Sequence, residues 1–401
     1  MKHGWEIKQL GDVCELYQPK TISSKEMVDD GDYPVFGANG IIGKYDKYNH
    51  EEPQLLITCR GATCGSINIS EPKSWINGNA MVVRPKDNSL NLKFIEYLFL
   101  GGIDISKTIT GAAQPQITRQ TLSPVLISYP KSLPEQQRIV AILDEAFAAI
   151  AKAKANAEQN LKNAKELFES YLQGVFENKG EGSKFETLDS LCELIVDCEH
   201  KTAPTQETGY PSIRTPNIGK GVLILEGVNR VSEKTYNEWT RRAIPQADDL
   251  ILAREAPAGN IAVIPENVKV CLGQRTVLIR PKKNKLISKF LAHLILSKDV
   301  QEQLLSHSTG ATVEHINMKD IRAFKIYNLS PLTEQQTIVQ NLEALLTETQ
   351  KLEAIYQQKI NDLEELKKSV LQKAFSGELK SPEGALFTND GCSPSKKEQT
   401  V

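Results

Sequence analysis

The sequence has little of what marks membrane or secreted proteins. No run of apolar residues in the 401-residue chain approaches the roughly 18 that indicate a membrane-spanning helix. The first residues, Met1-Lys2-His3-Gly4-Trp5-Glu6, lack the apolar segment of a secretory signal. The seven cysteines form no regular framework, which is typical of free thiols in a reducing compartment. We therefore expect a cytoplasmic protein that makes no membrane contact.

Catalytic signatures are also missing from the sequence. There is no Gly-x-x-x-x-Gly-Lys-Ser/Thr phosphate loop, which argues against ATP hydrolysis by this chain. We find no Gly-x-Gly-x-x-Gly after a strand, no Asn-Pro-Pro-aromatic or Asp-Pro-Pro-aromatic motif, no His-Glu-x-x-His zinc helix and no Gly-x-Ser-x-Gly elbow. An enzyme that acts alone is therefore disfavoured.

Two groups of cysteines could suggest a metal site. Cys59 lies near Cys64, and Cys192 lies near Cys198 and His200, but neither group has a second pair at zinc spacing. Free thiols are the better interpretation. An acid–base site would use Asp197, Glu199 and His200. Without a nucleophile, a polar loop is favoured there.

What the sequence does contain is an internal repeat. The segment Leu133-Pro134-Glu135-Gln136-Gln137-Arg138-Ile139-Val140 returns 199 residues later as Leu332-Thr333-Glu334-Gln335-Gln336-Thr337-Ile338-Val339. Held without gaps from Leu133 to Phe176, this offset gives 16 identities in 44 positions. The regions before each copy also match, because Leu56 to Gly65 aligns with Leu250 to Gly259 and Thr110-Gly111-Ala112 with Thr309-Gly310-Ala311. The chain is therefore predicted to be two tandem halves, each a globular part followed by a shared tail.

The shared tails are predicted to be long helices. Good helix formers dominate both, and Pro134 and Glu135 suit a first helical turn. Each helix would span about 65 Å at 1.5 Å per residue. Apolar residues recur at coiled-coil spacing. The stripe that we expect to pack, or to dock subunits, contains Leu143, Phe147, Ile150, Leu161 and Phe168, and then Leu342, Leu345, Leu352, Tyr356, Leu363 and Leu366. An intramolecular antiparallel coiled coil is the first choice, and homodimerisation through the stripe is the alternative.

Short apolar runs predict strands at Gln54 to Thr58, Met81 to Arg84, Asp249 to Ala253 and Thr276 to Arg280. The globular parts also contain predicted helices and turns, so the fold class is α+β. We expect globular domains at 1–132 and 185–331, long helices at 133–180 and 332–380, a linker between the halves at 178–183 and a disordered tail at 381–401. The net charge of −2 combines a neutral 1–132, −1 over 133–184, +2 over 185–331 and −3 over 332–401. Basic runs in the second part, Arg241-Arg242 and Arg280 to Lys285, are ordinarily solvated faces. A locally basic face can nevertheless bind DNA, because phosphate neutralisation is local.

These features together resemble the specificity subunit of a type I restriction-modification system. The resemblance rests on the two tail motifs, on Arg60-Gly61-Ala62-Thr63-Cys64-Gly65 and on Thr110 to Ile117, and it covers Trp5 to Leu379. The second half departs from the pattern at Thr333 and at Arg254-Glu255-Ala256-Pro257.

The resemblance implies a non-catalytic DNA-binding subunit with two target recognition domains and a pseudo-two-fold layout. Each domain would read one half of a split, asymmetric target, and the helices would set the gap between the half-sites. Partners would be double-stranded DNA, two methyltransferase subunits and two restriction subunits. This chain would bind no cofactor. S-adenosylmethionine, ATP and Mg²⁺ would belong to the partners, and the methyltransferase would flip an adenine from the stack.

Candidate DNA-contacting residues are cationic and amide side chains in predicted turns, because these groups hydrogen bond to base edges in the major groove. In the first half they are Lys44, Arg60, Gln114, Gln116 and Arg119, and in the second half Arg214, Lys220, Arg254, Arg275, His315, Asn317 and Lys319. Each could equally be a structural partner or a phosphate contact. The alternative function is a coiled-coil scaffold that joins two protein-binding modules without DNA.

Overall fold

The computed structural model describes residues 4–111, 114–177, 184–255, 257–306, 315–376 and 378–379. The chain divides into two compact units, one formed by Met1–Ala157 with Gln358–Val401 and the other by Glu158–Gln357. The predicted linker at 178–183 and the predicted disordered tail at 381–401 lie outside the described residues, as do Ala112, Ala113 and 307–314. The domain limits given above stay predictions.

The first unit contains the elements that precede the first long helix. Its strands are β1 (Trp5–Gln9), β2 (Cys14–Tyr17), β3 (Tyr33–Gly37), β4 (Gly40–Tyr45), β5 (Leu55–Thr58), β6 (Ile67–Ile69), β7 (Trp75–Ile76), β8 (Ala80–Pro85) and β9 (Leu126–Pro130). Its helices are α1 (Leu10–Val13), α2 (Leu92–Tyr97), α3 (Arg119–Leu122) and the first part of α4 (Leu133–Phe176). A π-helical turn at Leu98–Gly102 and a 3-10 turn at Ser106–Thr108 follow α2.

Three sheets form from these strands, in the orders β2-β8-β5-β6, β4-β3-β7 and β1-β9. All four residues of β5 are buried, because the strand is covered on both faces. Leu55 and Ile57 enter the core that includes α2 and the long helices. Leu56 points the other way, toward Phe36 of the three-stranded sheet. This two-sided burial explains the continuous apolar run that predicted the strand.

The second unit repeats the same plan. Its strands are β10 (Phe185–Thr187), β11 (Cys192–Asp197), β12 (Tyr210–Ile213), β13 (Arg230–Val231), β14 (Leu250–Ala253), β15 (Ile261–Val263), β16 (Cys271–Leu272), β17 (Thr276–Pro281) and β18 (Lys325–Tyr327). Its helices are α5 (Leu188–Leu191), α6 (Glu233–Trp239), α7 (Ser288–Leu296), α8 (Lys298–Ser306), α9 (Met318–Ala323) and part of α10 (Leu332–Ser376). The sheets are β11-β17-β14-β15, β13-β12-β16 and β10-β18. The predicted α+β class and the internal repeat are confirmed.

Sheet register corrects one step of the repeat alignment. Leu55 pairs with Val83, the fourth residue of β8, and Leu250 pairs with Ile279, the fourth residue of the equivalent strand β17. Leu55 is therefore the counterpart of Leu250. The sequence alignment had matched Leu56 with Leu250 and was therefore wrong by one residue along this strand. Because side chains alternate between the two faces of a sheet, a slip of one residue moves every side chain to the other face.

The long helices α4 and α10 pack antiparallel, as predicted. In the first unit, Lys154 of α4 forms an ion pair with Glu364, and the Lys367 ammonium lies 5.4 Å from the centre of the Phe147 ring. In the second unit, Phe168 and Leu172 of α4 line one cavity with Leu346 and Gln350 of α10. Residue numbers thus rise along one helix as they fall along the other. The partner of each stripe is the other helix of the same chain.

Most of the predicted stripe lies on the packed face. Leu143, Ile150 and Leu342 are buried. Phe147, Leu161, Phe168, Leu345, Tyr356 and Leu363 are half-buried. Leu352 and Leu366 are 38% and 48% exposed, so they are not buried between the helices, and their role in docking subunits stays a prediction.

Each unit joins its globular part to the long helices through the same ion pair. In the first unit Lys93 of α2 contacts Asp144 of α4 at 2.9 Å, and Tyr97 also donates to Asp144. In the second unit Lys289 of α7 contacts Glu343 of α10. These pairs are half-exposed and contribute little to stability on their own. Their recurrence shows that the two domain–helix junctions share one geometry.

Candidate nucleic-acid interface

In each unit one end of the four-stranded sheet collects several predicted DNA-contacting residues. Past the end of β5, the Ile117 backbone amide donates to the Cys59 carbonyl at 2.9 Å, and the Cys59 amide donates to the Asn79 carbonyl at 3.0 Å. Past the end of β14, the Ile316 amide donates to the Arg254 carbonyl at 3.0 Å. Three chain segments therefore converge at the same point of each fold.

The same hydrogen bonds define which residues are equivalent. The Arg254 amide donates to the Arg275 carbonyl at 2.9 Å, as the Cys59 amide does to Asn79. Three further pairs of positions are therefore equivalent between the two units, by this register or by the 199-residue offset. They are Arg60 and Glu255, Asn79 and Arg275, and Gln116 and His315. The two units thus present different chemical groups from one scaffold.

In the first unit the converging side chains are exposed. Arg60 and Gln116 form an antiparallel bridge through their backbones, so their side chains leave the sheet at one place. Gln114 and Arg119 follow closely along the chain, and Arg119 opens α3 behind a capping box formed by Thr118. All four candidates are exposed. Their guanidinium and amide groups are of the types that hydrogen bond to guanine and adenine.

In the second unit Arg254 is buried, at the place of the buried Cys59. Its side chain is 8% exposed. Nε donates to the Ile316 carbonyl at 2.8 Å, Nη1 donates to Asp197 Oδ2 at 2.7 Å, and Nη2 lies 2.8 Å from His315 Nε2. All three guanidinium nitrogens therefore have protein partners, and direct reading of a base is left to its neighbours.

The network continues from His315 to the surface. His315 Nδ1 lies 2.9 Å from Glu255 Oε1, and Glu255 Oε2 accepts from Arg275 Nη1 at 2.6 Å. The Arg275 side chain is 62% exposed, whereas that of Glu255 is 16% exposed. At the other end of the network, His200 Nε2 lies 3.2 Å from Asp197 Oδ2. At both ends of the network an exposed basic side chain, Arg275 or His200, therefore covers a less exposed carboxylate.

A second acid–base pair enlarges this basic surface. Glu199, 14% exposed, accepts from Arg241 at 3.0 Å and lies 3.5 Å from Arg242 Nε. The two arginine side chains are 62% and 47% exposed. Because the paired carboxylates are the less accessible partners, a phosphate that approaches this face would meet guanidinium groups first.

The other candidates lie elsewhere in their units. Lys44 is exposed on β4, and Arg214 is exposed after β12. Lys220 pairs with Glu169 of α4 at 3.7 Å. Asn317 precedes α9, with Nδ2 donating to Asp320 Oδ2 at 3.3 Å, and Lys319 is exposed in the first turn of that helix. Contact of these residues with DNA stays a prediction.

Most of the basic side chains from Arg280 to Lys285 form contacts within the protein. Arg280 forms two 2.7 Å bonds to the buried Asp249, and Lys282 donates to the Ser190 carbonyl at 2.8 Å. Lys285 pairs with Glu186 at 2.7 Å. Lys283 is exposed.

The cysteines near these sites are buried thiols. Burial raises the pKa of Cys59 and that of Cys198, so both thiols stay protonated at neutral pH. Among the residues that the structure describes, no group of three or more His, Cys, Asp or Glu is placed to hold a metal ion. Within the same residues, no helix is both long and apolar enough to span a membrane.

Comparison with known families agrees with the repeated architecture. The model of the type I restriction modification DNA specificity domain matches twice, at residues 2–162 and 181–365. The chain belongs to this family. The predicted resemblance is therefore confirmed.

Relatives in the specificity family are distant but cover most of the chain. The Escherichia coli type I restriction enzyme EcoBI specificity subunit is 23% identical over 81% of this chain and 73% of its own length. The EcoDI specificity subunit of the same species is 22% identical over 94% and 88%.

Solved structures share the fold of this family member. A chain from a study of "complex assembly and conformational transition of the type I R-M system" has a TM-score of 0.72 at 18% identity and covers 94% of this chain and 99% of its own. The HsdS subunit from Thermoanaerobacter tengcongensis has a TM-score of 0.59 at 20% identity, with 94% and 98% covered.

Sequence reasoning missed three residues of this candidate interface. Asn79 and Glu255 were not singled out, and Asp197 was assigned to a polar loop. The signal for Asn79 was weak, because only sheet register places it beside Cys59. Glu255 adjoins Arg254 in a position where the repeat departs from its first copy, and that departure was the available clue.

Proposed function

We propose that this chain is the DNA-specificity subunit of a type I restriction-modification complex and that each half reads one part of a bipartite, asymmetric target. The observation that carries the proposal is the pair of equivalent sheet ends. They present arginine and amide side chains in the first unit, and in the second unit an exposed arginine, Arg275, that is paired with Glu255. Different groups on one scaffold would select different bases, which suits an asymmetric target.

The long helices would have two roles in such a complex. Each passes from one unit into the other, since α4 begins at Leu133 and ends at Phe176, and α10 returns from Leu332 to Ser376. They would set the length of the unread gap between the half-sites. They would also dock two methyltransferase subunits, for which the exposed Leu352 and Leu366 are suitable contacts.

The chemistry would belong to the partners. This chain would act without a catalytic site in a cytoplasmic assembly with two methyltransferase and two restriction subunits. S-adenosylmethionine would be bound by the methyltransferase subunits, and ATP and Mg²⁺ by the restriction subunits. Purified chain alone should transfer no methyl group to DNA, and measurable transfer would contradict the non-catalytic assignment.

Methylome mapping of the host with and without this gene tests the proposal. One bipartite motif should lose its modification when the gene is deleted and regain it when the gene is restored. Unchanged modification at every motif would overturn the proposal. The scaffold alternative is separated by a gel shift on genomic fragments with the methyltransferase partner, because a scaffold would give no sequence-selective shift.

A further inference from the structure

The network around Arg254 leads to one exposed cation, Arg275, which is held by the less exposed Glu255. From Asp197 the contacts run through Arg254 to His315, then to Glu255 and finally to Arg275, with successive distances of 2.7, 2.8, 2.9 and 2.6 Å. Arg275 is the most exposed member, at 62% against 31% or less for the other four side chains. A chain of charge-assisted bonds holds each group against the next, so the position of the final guanidinium depends on every link.

We infer that Arg275 is the group that reads a guanine in the second half-site, and that Glu255, His315 and Arg254 are positioning residues that orient it. The inference rests on the proposed function and extends it to a base and a set of residues. Guanine offers two acceptors, N7 and O6, to a planar guanidinium. Arg275 keeps donors for them, because its described side-chain contact uses Nη1 alone.

The backbone at Arg275 supports this role independently. Its φ of 67° lies in the left-handed region, which residues other than glycine rarely adopt. Both of its backbone polar groups are held, since the amide donates to Cys198 Sγ at 3.1 Å and the carbonyl accepts from the Arg254 amide at 2.9 Å. A non-glycine residue pinned in this conformation points to a functional constraint.

The first unit shows that the fold does not require this pair of residues. The same backbone hydrogen bonds form there around Cys59, with Arg60 and Asn79 in the places of Glu255 and Arg275. The carboxylate and the arginine are thus a feature of the second unit and not of the scaffold. A buried carboxylate next to an exposed arginine restricts the directions in which the guanidinium can point, which favours one base over others.

Methylome sequencing of the complete complex, assembled with its cognate modification subunits, tests the inference. Arg275→Ala should relax one position of one half-site, with the preference for guanine falling by on the order of 10- to 100-fold. The other half-site and the gap should not change. Arg275→Gln should shift the same position toward adenine, because a glutamine amide matches adenine N6 and N7.

Glu255→Gln tests the positioning role. It should relax the same position by a smaller factor, and the double variant with Arg275→Ala should be no worse than Arg275→Ala alone, since the two act as one unit. Lys283→Ala, an exposed cation outside the network, is the matched control and should leave every position unchanged.

The outcomes separate the inference from the proposed function. Absence of any motif that depends on the wild-type chain would reject the proposed function itself. A chain-dependent motif that keeps its guanine preference in Arg275→Ala would overturn the inference alone. Uniform loss of methylation by Arg275→Ala, with neither a relaxed position nor an adenine shift in Arg275→Gln, would also overturn it, because a structural role predicts that pattern.

Discussion

Gln136 and Gln335 make the same three hydrogen bonds in the two repeats. Each side chain is 0% exposed. Gln136 Nε2 donates to the Ser89 and Pro130 carbonyls at 2.9 Å, and its Oε1 accepts from the Asn91 amide at 2.8 Å. Gln335 repeats these bonds with Lys285, Ser330 and Ile287 at 2.9, 2.8 and 2.9 Å. The first Gln of each Glu-Gln-Gln motif therefore locks the helix start to its globular domain.

Removing these hydrogen bonds should destabilise the unit that contains them. Gln136→Ala leaves the Asn91 amide and two carbonyls without their partner in a buried site, which costs about 1–3 kcal/mol for such groups. We expect a loss of roughly 2 kcal/mol in the free energy of unfolding, measured by urea denaturation. Gln137→Ala is the matched control, because Gln137 is adjacent and exposed. Equal losses of unfolding free energy in both variants would show that the Gln136 hydrogen bonds do not stabilise the unit.

Arg254→Ala should act through stability and through Arg275, because Arg254 is buried. Removing one partner of a buried ion pair costs about 3–5 kcal/mol, and the side chain of Asp197 is only 18% exposed. We expect a lower melting temperature. We also expect a larger loss of affinity for the target duplex than for a random duplex. Equal losses of affinity on both duplexes would contradict the specific role.

Lys283→Ala should change only background affinity. Lys283 is exposed in the basic run whose neighbours pair within the protein. If it contacts a phosphate, its loss should lower the slope of log K against log salt by about 1 and weaken all sequences alike. Titration at several salt concentrations measures this. A change in sequence preference would be inconsistent with a phosphate contact.

Stability should fall as the pH drops below about 6.5, the ordinary histidine pKa. Burial lowers the pKa of His50 and His293, with Arg84 adding to the effect at His50. Lys289 and Glu343 face His293 with opposite effects, and Phe168 packs against its ring. A lowered pKa in the folded state means that the unfolded chain takes up the proton more readily, so the stabilisation is complete above 6.5 and is lost below it.

The variant His293→Tyr tests this pH dependence, because Tyr97 holds the equivalent place in the first unit. The cavity of 540 Å³ beside His293 offers room for the larger ring. Urea denaturation at pH 7.5 and 5.5 should give a smaller loss of stability in the variant than in the wild type. An unchanged difference between the two pH values would assign the effect to other groups.

Helix length should control the gap between half-sites. Inserting one heptad of seven residues next to Lys154 in α4 and another next to Glu364 in α10 keeps the contacting faces matched. The insertion adds about 10 Å, or roughly three base pairs at about 34 Å per DNA turn. Methylome sequencing should find the same half-sites with a longer gap. An unchanged gap would reject the role of the helices as a spacer.

Much of the fold was predictable because the signals were local. Long runs of helix formers, in α4 from Pro134 to Gly174, predicted α4 and α10, which span 44 and 45 residues. Buried apolar runs predicted β5, β8, β14 and β17. The stripe of the helices was less accurate at Leu352 and Leu366, which are exposed although Tyr356 and Leu363 between them are half-buried.

The sequence alone determined the repeat, the α+β class, the long helices and the family, since each depends on identities or periodicities that are visible along the chain without knowledge of its contacts. Tertiary structure decided which arginine faces solvent. One residue fewer between β14 and Gly259 puts Arg254 in the place of Cys59 and brings Glu255 to Arg275. Alternation of side chains across a sheet turns that small shift into a change of partner, and only strand register reveals it.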